Sequence, residues 1–97
     1  MEDELRKIRN WASHGTLRQF YAELSAKASQ QGYITELEGN TVTCYQVRKE
    51  GGILGLGRRT IKEPVLKAVQ EGTEVVIPTE SANAEFVHLM VGLLKQH

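Results

Sequence analysis

The apolar positions along this chain change period four times, and each change marks an element. Leu17, Phe20, Tyr21, Leu24 and Ala28 recur at i, i+3, i+4, i+7 and i+11, the spacing of a helix with one apolar face. Thr16 precedes the run and Gln19 follows three places on. That pair fits a capping box, in which two side chains satisfy backbone amides that the first turn leaves unpaired. Gly32 ends the stripe. A helix is therefore predicted over 16–31. A shorter one is predicted over 3–13, where Leu5, Ile8 and Ala12 share a face with Trp11 at its edge. Gly15 is expected to close it in the left-handed conformation that glycine adopts cheaply.

The period then falls to two. Tyr33–Glu38 and Thr41–Lys49 are rich in strand-forming residues and flank Gly39-Asn40, which reads as a two-residue hairpin loop. Glycine at the first central position favours a type II′ turn. Such a loop fixes the register: Glu38 opposite Thr41, Leu37 opposite Val42, Thr35 opposite Cys44, Tyr33 opposite Gln46. Tyr33, Thr35, Leu37, Val42 and Cys44 then share the face expected to pack on the 16–31 helix. Ile34, Glu36, Glu38, Thr41, Thr43 and Tyr45 share the other. A slip of one residue would exchange the two faces.

Beyond the glycine-rich segment 51–57, Arg58–Lys62 is expected to return as a third antiparallel strand. Pro64 suits the first turn of a helix, where its missing N–H has no partner to lose. Pro64–Glu71 thus reads as a short helix with Val65, Leu66 and Val69 inward and Gly72 as its stop. Glu74–Ile77 reads as a strand closed by Pro78. A last helix, capped by Thr79 or Ser81, carries Phe86, Val87, Met90, Leu93 and Leu94 on one face. Leu89 and Val91 point away from that stripe, so apolar surface nearly encircles the helix. A helix of this kind is buried on more than one side, either between the N-terminal helices or in a dimer interface. The expected architecture is a small single α+β domain: N-terminal helices, an antiparallel sheet of about four strands and a C-terminal helix.

Composition narrows the function classes. The 97 residues are 40% hydrophobic and 25% charged, the balance of an ordinary globular protein. No apolar run approaches the roughly 18–20 residues that span a bilayer. The start, Met1-Glu2-Asp3-Glu4, lacks the basic-then-apolar pattern of a secretory leader. The lone Cys44 excludes an intramolecular disulfide framework, so a reducing, cytoplasmic setting away from membranes is expected.

Catalytic and metal chemistry find little to work with. His14, His88, His97 and Cys44 are scattered, and none forms a Cys-x-x-Cys or His-x-x-x-His pair. Glu85 and His88 have the spacing of one helical face, but a single copy on an α+β chain reads as a surface pair. Cys44 falls on the face expected to be buried, where a thiol behaves as a small hydrophobe. Ser13 and His14 are neighbours in sequence, which does not align a base on a serine nucleophile. No metal and no cofactor are expected.

The segment Gly51-Gly52-Ile53-Leu54-Gly55-Leu56-Gly57 places three large aliphatics on a glycine-rich connection, with Arg48-Lys49 before it and Arg58-Arg59 after it. Net charge over the chain is zero, yet Arg48–Lys62 carries five basic residues against one acid, Glu50. The segment lacks the Gly-x-x-x-x-Gly-Lys-Ser/Thr pattern of a phosphate loop. It also lacks the strand-to-helix setting of a dinucleotide fingerprint. Successive glycine amides can still form a concave nest for an anion. The run from Lys49 to Gly57 is similar, over about a tenth of the chain, to the Lys-Lys-Gly-Phe-Leu-Gly-x-Gly box of the N-terminal domain of bacterial Jag proteins, which are associated with RNA. Glu50 and Gly51 break that box, Ile53 replaces its aromatic and the hairpin does not fit it, so neither membership nor function follows from the resemblance.

The expectation is a non-enzymatic protein-interaction or assembly module, acting as a homodimer. Its partner-binding candidates are Ile53, Leu54 and Leu56 in the glycine-rich segment and Leu89 and Val91 on the last helix. Exposed apolar patches on small soluble proteins commonly mark such sites. The alternative is an RNA- or DNA-binding module using 48–62, with Arg48, Lys49, Arg58, Arg59 and Lys62 on phosphates and Tyr45 as a stacking platform.

Overall fold

The capping box forms as its residues require. In the computed structural model, which describes residues 2–50 and 59–94, the Thr16 hydroxyl accepts from the Gln19 N–H at 3.1 Å. Gln19 Oε1 in turn accepts from the Thr16 N–H at 2.8 Å. Helix α2 runs from there over Leu17–Ser29, preceded by α1 over Glu2–Ala12. Gly15 does not take the left-handed conformation; among the described glycines, Gly32, Gly39 and Gly72 do. The last carbonyls of α1 are met by side chains instead: Ser13 Oγ donates to Arg9 O at 2.9 Å, and the His14 ring lies 2.6 Å from Asn10 O. A Cβ at 15 would sit 2.2 Å from Gln19 Oε1 and would push that side chain out of the capping box.

Strands β1 (Tyr33–Glu38) and β2 (Thr41–Glu50) pair in the expected register, Glu38 opposite Thr41 through Tyr33 opposite Gln46. Gly39 turns the chain with φ +58°. The hairpin loop is tied onward as well, because Asn40 exchanges hydrogen bonds with the Gln70 peptide at 2.8 and 3.0 Å.

The largest departure from expectation follows. There is no helix over Pro64–Glu71. Residues Arg59–Glu71 form one long strand, β3, antiparallel to β2. Gly72 is a hairpin turn residue with φ +61°, not a helix stop, and it leads into β4 (Glu74–Val76). Proline fits inside β3 because the ladder is irregular there. Cys44 pairs with Leu66 and Tyr45 with Pro64, which leaves Val65 as the extra residue of a β-bulge. Bulges are among the few interior sheet positions that tolerate proline. A bulge also turns two consecutive side chains to the same side, and Val65 and Leu66 are both buried. That doublet, with Val69, imitates the spacing of a helix face.

The freed Val65 carbonyl accepts the Asn83 N–H at 2.7 Å. Asn83, rather than Thr79 or Ser81, caps the last helix: its Oδ1 accepts from the Phe86 N–H at 3.0 Å. Thr79–Ser81 make a single 3-10 turn, and α3 covers Ala84–Leu94. Arg9 fastens this return to α1, donating to Ile77 O at 2.7 and 3.2 Å and to Thr79 Oγ1 at 3.1 Å.

The sheet order is β1-β2-β3-β4. Val42, Cys44, Leu66 and Ala68 on one sheet face share a core with Leu5, Ile8, Leu24, Phe86, Val87 and Met90 from the three helices. Tyr33 meets the Phe86 ring edge-on at 4.9 Å, and Trp11 meets Phe20 at 5.1 Å. Val91 belongs to this core with 2% exposure, and Leu89 packs half-buried against it. The near-encircling apolar surface of α3 is thus largely explained within the chain, because the helix contacts α1, α2 and β3. Val91 does not point outward. No described helix is long and apolar enough to cross a membrane.

Val91→Ala should therefore lower the unfolding free energy by about 1–3 kcal/mol in a urea titration, as a buried aliphatic does; a solvent-facing position would move it by less than about 0.5 kcal/mol. Asn83→Ala should cost about 1 kcal/mol through the lost cap.

Candidate functional site

All buried side chains of the paired strands, apart from the bulged Val65, alternate onto the helix-covered face. The opposite face carries no covering layer among the described residues. The register builds that face in rows. Ile34, Tyr45 and Pro64 form one row across β1, β2 and β3. Glu36, Thr43 and Lys67 form the next toward the hairpin turns, then Glu38, Thr41 and Val69, with Val76 of β4 beside them. In the other direction lie Val47 with Lys62, then Lys49 with Thr60. Ile34 is 41% exposed, unusual for a large aliphatic among the described residues.

The bulge decides which residues reach this face. In an unbroken strand with Leu66 and Lys67 placed as they are, Lys62 would alternate onto the helix side. The extra residue reverses the alternation, so Pro64, Lys62 and Thr60 face outward. Lys62 then extends past the Tyr45 ring, its Nζ 5.7 Å from the ring centroid, and donates to Glu36 Oε2 at 2.7 Å. That hydrogen bond, and next the carboxylate's charge, raise the ammonium pKa above its usual value. Both partners are substantially exposed, so the pair contributes little to stability. A shallow depression of about 270 Å³ lies beside it, lined by Glu36, Glu38, Thr41, Thr43, Tyr45 and Lys67.

The basic cluster read from 48–62 is more nearly balanced in space than in sequence. Arg48 forms an ion pair with Glu63, which lies one residue beyond that window, and Lys62 pairs with Glu36 from β1. Lys49 is exposed opposite Thr60. Ile53, Leu54, Leu56 and Arg58 lie outside the described residues, as does the side chain of Arg59. Of the remaining partner-binding candidates, Val91 is inside the core and Leu89 sits on α3, remote from the open face.

Other chemistry-bearing groups are engaged structurally. His88 Nδ1 lies 2.6 Å from Glu4 Oε2, tying α3 to α1. Among the described residues, no three His, Cys, Asp or Glu side chains converge as a metal site would need. Cys44 is fully buried and accepts a hydrogen bond from Thr35 Oγ1 at 3.6 Å. Burial pushes its thiol pKa up to about 11, with the Thr35 and Tyr45 hydrogen bonds pulling slightly the other way. Such a thiol is neutral at physiological pH and a poor nucleophile.

The residues absent from the sequence-level site are Ile34, Glu36, Glu63, Pro64 and Lys67. Ile34 and Glu36 were within reach of the hairpin register; the other three depend on the bulge or on β3 being a strand. Comparison with family models, with curated proteins and with solved structures found no match.

Cys44 provides a direct check on this geometry. It should resist thiol labelling in the native protein and react once unfolded. Its pKa is raised on folding from 9.0 to about 11, so its contribution to stability is complete below pH 9 and is lost as pH rises through 11. Relative to Cys44→Val, which cannot titrate, the wild type should lose stability over that interval in pH-dependent urea unfolding.

Proposed function

We propose that this chain is a non-enzymatic interaction module that engages a protein partner through the open face of its sheet. One observation carries the reading: helices cover one face only, while the other presents the Ile34–Tyr45–Pro64 row among charges of both signs. An apolar centre with a polar surround is the usual anatomy of a protein interface, and tyrosine is enriched among the residues that dominate binding energy. Glu36 and Glu38 on the same face would repel a phosphate backbone. The buried, neutral Cys44 supports a non-catalytic role, and a lone reduced thiol suits a cytoplasmic setting.

A second reading, nucleic-acid binding, is favoured by the placement of Arg48, Lys49 and Lys62 on two paired strands leading to Arg58 and Arg59. Phosphate-driven binding must weaken steeply with salt.

Capture from native extract, with and without nuclease, separates the two. The tagged chain should retain a protein partner after nuclease digestion, and Ile34→Glu with Tyr45→Ala should weaken that capture at least about tenfold, given what a central aromatic contributes. Retention that vanishes on nuclease treatment, and affinity for RNA or DNA that Arg58→Glu with Arg59→Glu removes, would overturn the protein-binding reading in favour of the second.

A further inference from the structure

We infer that the partner binds by strand addition: an extended segment of its main chain pairs with the outer edge of β1 and carries the Ile34–Tyr45–Pro64 row one position further. This rests on the reading of the open face as a protein-binding surface, and adds the form in which the partner arrives.

Strand β1 lies at one end of the sheet order and pairs only with β2. In a two-residue hairpin the flanking pair, here Glu38 with Thr41, exchanges both main-chain hydrogen bonds, and bonding alternates from there. Ile34, Glu36 and Glu38 therefore turn their peptide groups to β2, while Tyr33, Thr35 and Leu37 turn theirs outward. The other side of the hairpin has the matching phase, since Asn40 O accepts from the Gln70 N–H at 2.8 Å. Among the described residues, nothing outside the hairpin bonds to the main chain of Tyr33, Thr35 or Leu37.

The remaining edges are protected. At the opposite border Asn83 N–H donates to Val65 O, Ser81 Oγ donates to Lys67 O, and the outermost strand, β4, is three residues long. Where β2 and β3 run on past β1, Arg48 and Glu63 on one face and Lys49 and Lys62 on the other blunt the edge with charge. β1 has no proline, lysine or bulge, and its helix-side residues Tyr33, Thr35 and Leu37 are uncharged. Its carboxylates, Glu36 and Glu38, both lie on the open face, where Lys62 already meets Glu36.

Side chains along β1 are incompletely covered in the same direction. Tyr33 and Leu37 are half-buried against the core, and Ile34 is the exposed end of the open-face row. The segment that fits is extended, lacks proline and is apolar where it passes Ile34. A second β1 is not such a segment. Side-chain alternation allows two antiparallel self-pairings that overlap most of the strand, centred on Thr35 or on Glu36. The first sets Ile34 opposite Glu36 and the second sets Glu36 opposite itself, which is unfavourable.

Selection of a displayed library of random linear peptides against the full chain, followed by synthesis of those retained, tests this. The peptides should share alternating apolar positions without proline. In amide hydrogen exchange they should slow Tyr33, Thr35 and Leu37 at least about tenfold, while Ile34 and Glu36 are slow with or without peptide. Leu37→Pro removes one outward N–H and leaves the β1–β2 ladder intact; Leu37→Ala removes the side chain alone. With circular dichroism showing that both fold, the proline variant should bind peptide about tenfold more weakly than the alanine variant. If Leu37→Pro does not fold, exchange on the wild type decides. A library that yields no binder, peptides that leave the three amides fast, or equal affinity of the two variants overturns the inference. Slow exchange of those amides in the pure chain, together with a dimer in sedimentation, also overturns it, because the occupant is then a second copy. The open-face reading has its own readout: it stands if a nuclease-resistant partner is still captured through Ile34 and Tyr45, and falls if none is.

Discussion

The single extra residue in β3 governs more of this molecule than any other feature. Opposite Cys44 and Tyr45 the ladder slips by one, and three consequences follow from that slip. Pro64 finds a place inside a strand. Val65 and Leu66 both enter the core, which thickens the apolar layer under α3. The side chains beyond the bulge change faces, which carries Lys62 out beside Tyr45 and Glu36. The irregularity also frees the Val65 carbonyl to receive the Asn83 amide, and Asn83 is the residue that starts α3. Core, last helix and open face are therefore set by one local departure from regular pairing.

The two faces of the sheet then obey different rules. On the helix side Val42, Cys44, Leu66 and Ala68 are buried in the core and Thr35 is bonded to Cys44, while Gln46 and Arg48, farther along β2, are exposed. On the open side the same strands alternate charge with isolated apolar groups. The ion pair formed there, Lys62 with Glu36, is exposed and weak. Small domains leave a large share of their surface apolar. What distinguishes this face is the Ile34–Tyr45–Pro64 row across three strands, with Val47, Val69 and Val76 beyond it and charges of both signs around it.

Much of this was legible from residue pattern, and the failures have a common origin. The hairpin register followed from two loop residues and the burial preference of Val42 and Cys44. The α2 cap followed from Thr16 and Gln19. Local chemistry sufficed in both cases. Pro64–Glu71 was misread because the bulge superimposes an i, i+1, i+3 burial pattern, Val65, Leu66 and Ala68, on a strand, which periodicity alone cannot separate from a helix turn. Gly72 then looked like a helix stop when it was a turn. The candidate site inherited the error. Glu63 and Lys67 were hidden behind a helix that does not exist, and the basic balance of 48–62 looked stronger than it is because its counter-charges come from Glu63 and from β1. Val91 was placed outside the core because α3 was weighed as an isolated helix; it is buried, on a helix that contacts α1, α2 and β3. The open face itself could not be read from any one strand, since it exists only once three strands are in register.

The central claim is that this open face, and not the helical layer, is where the chain meets another protein. Following backbone amide shifts by NMR as the partner retained after nuclease treatment is added tests it most directly. The account predicts shifts at Ile34, Glu36, Thr43, Tyr45, Lys62, Lys67 and Glu71, with α1, α2 and α3 largely unmoved. Shifts confined to the helices would contradict it.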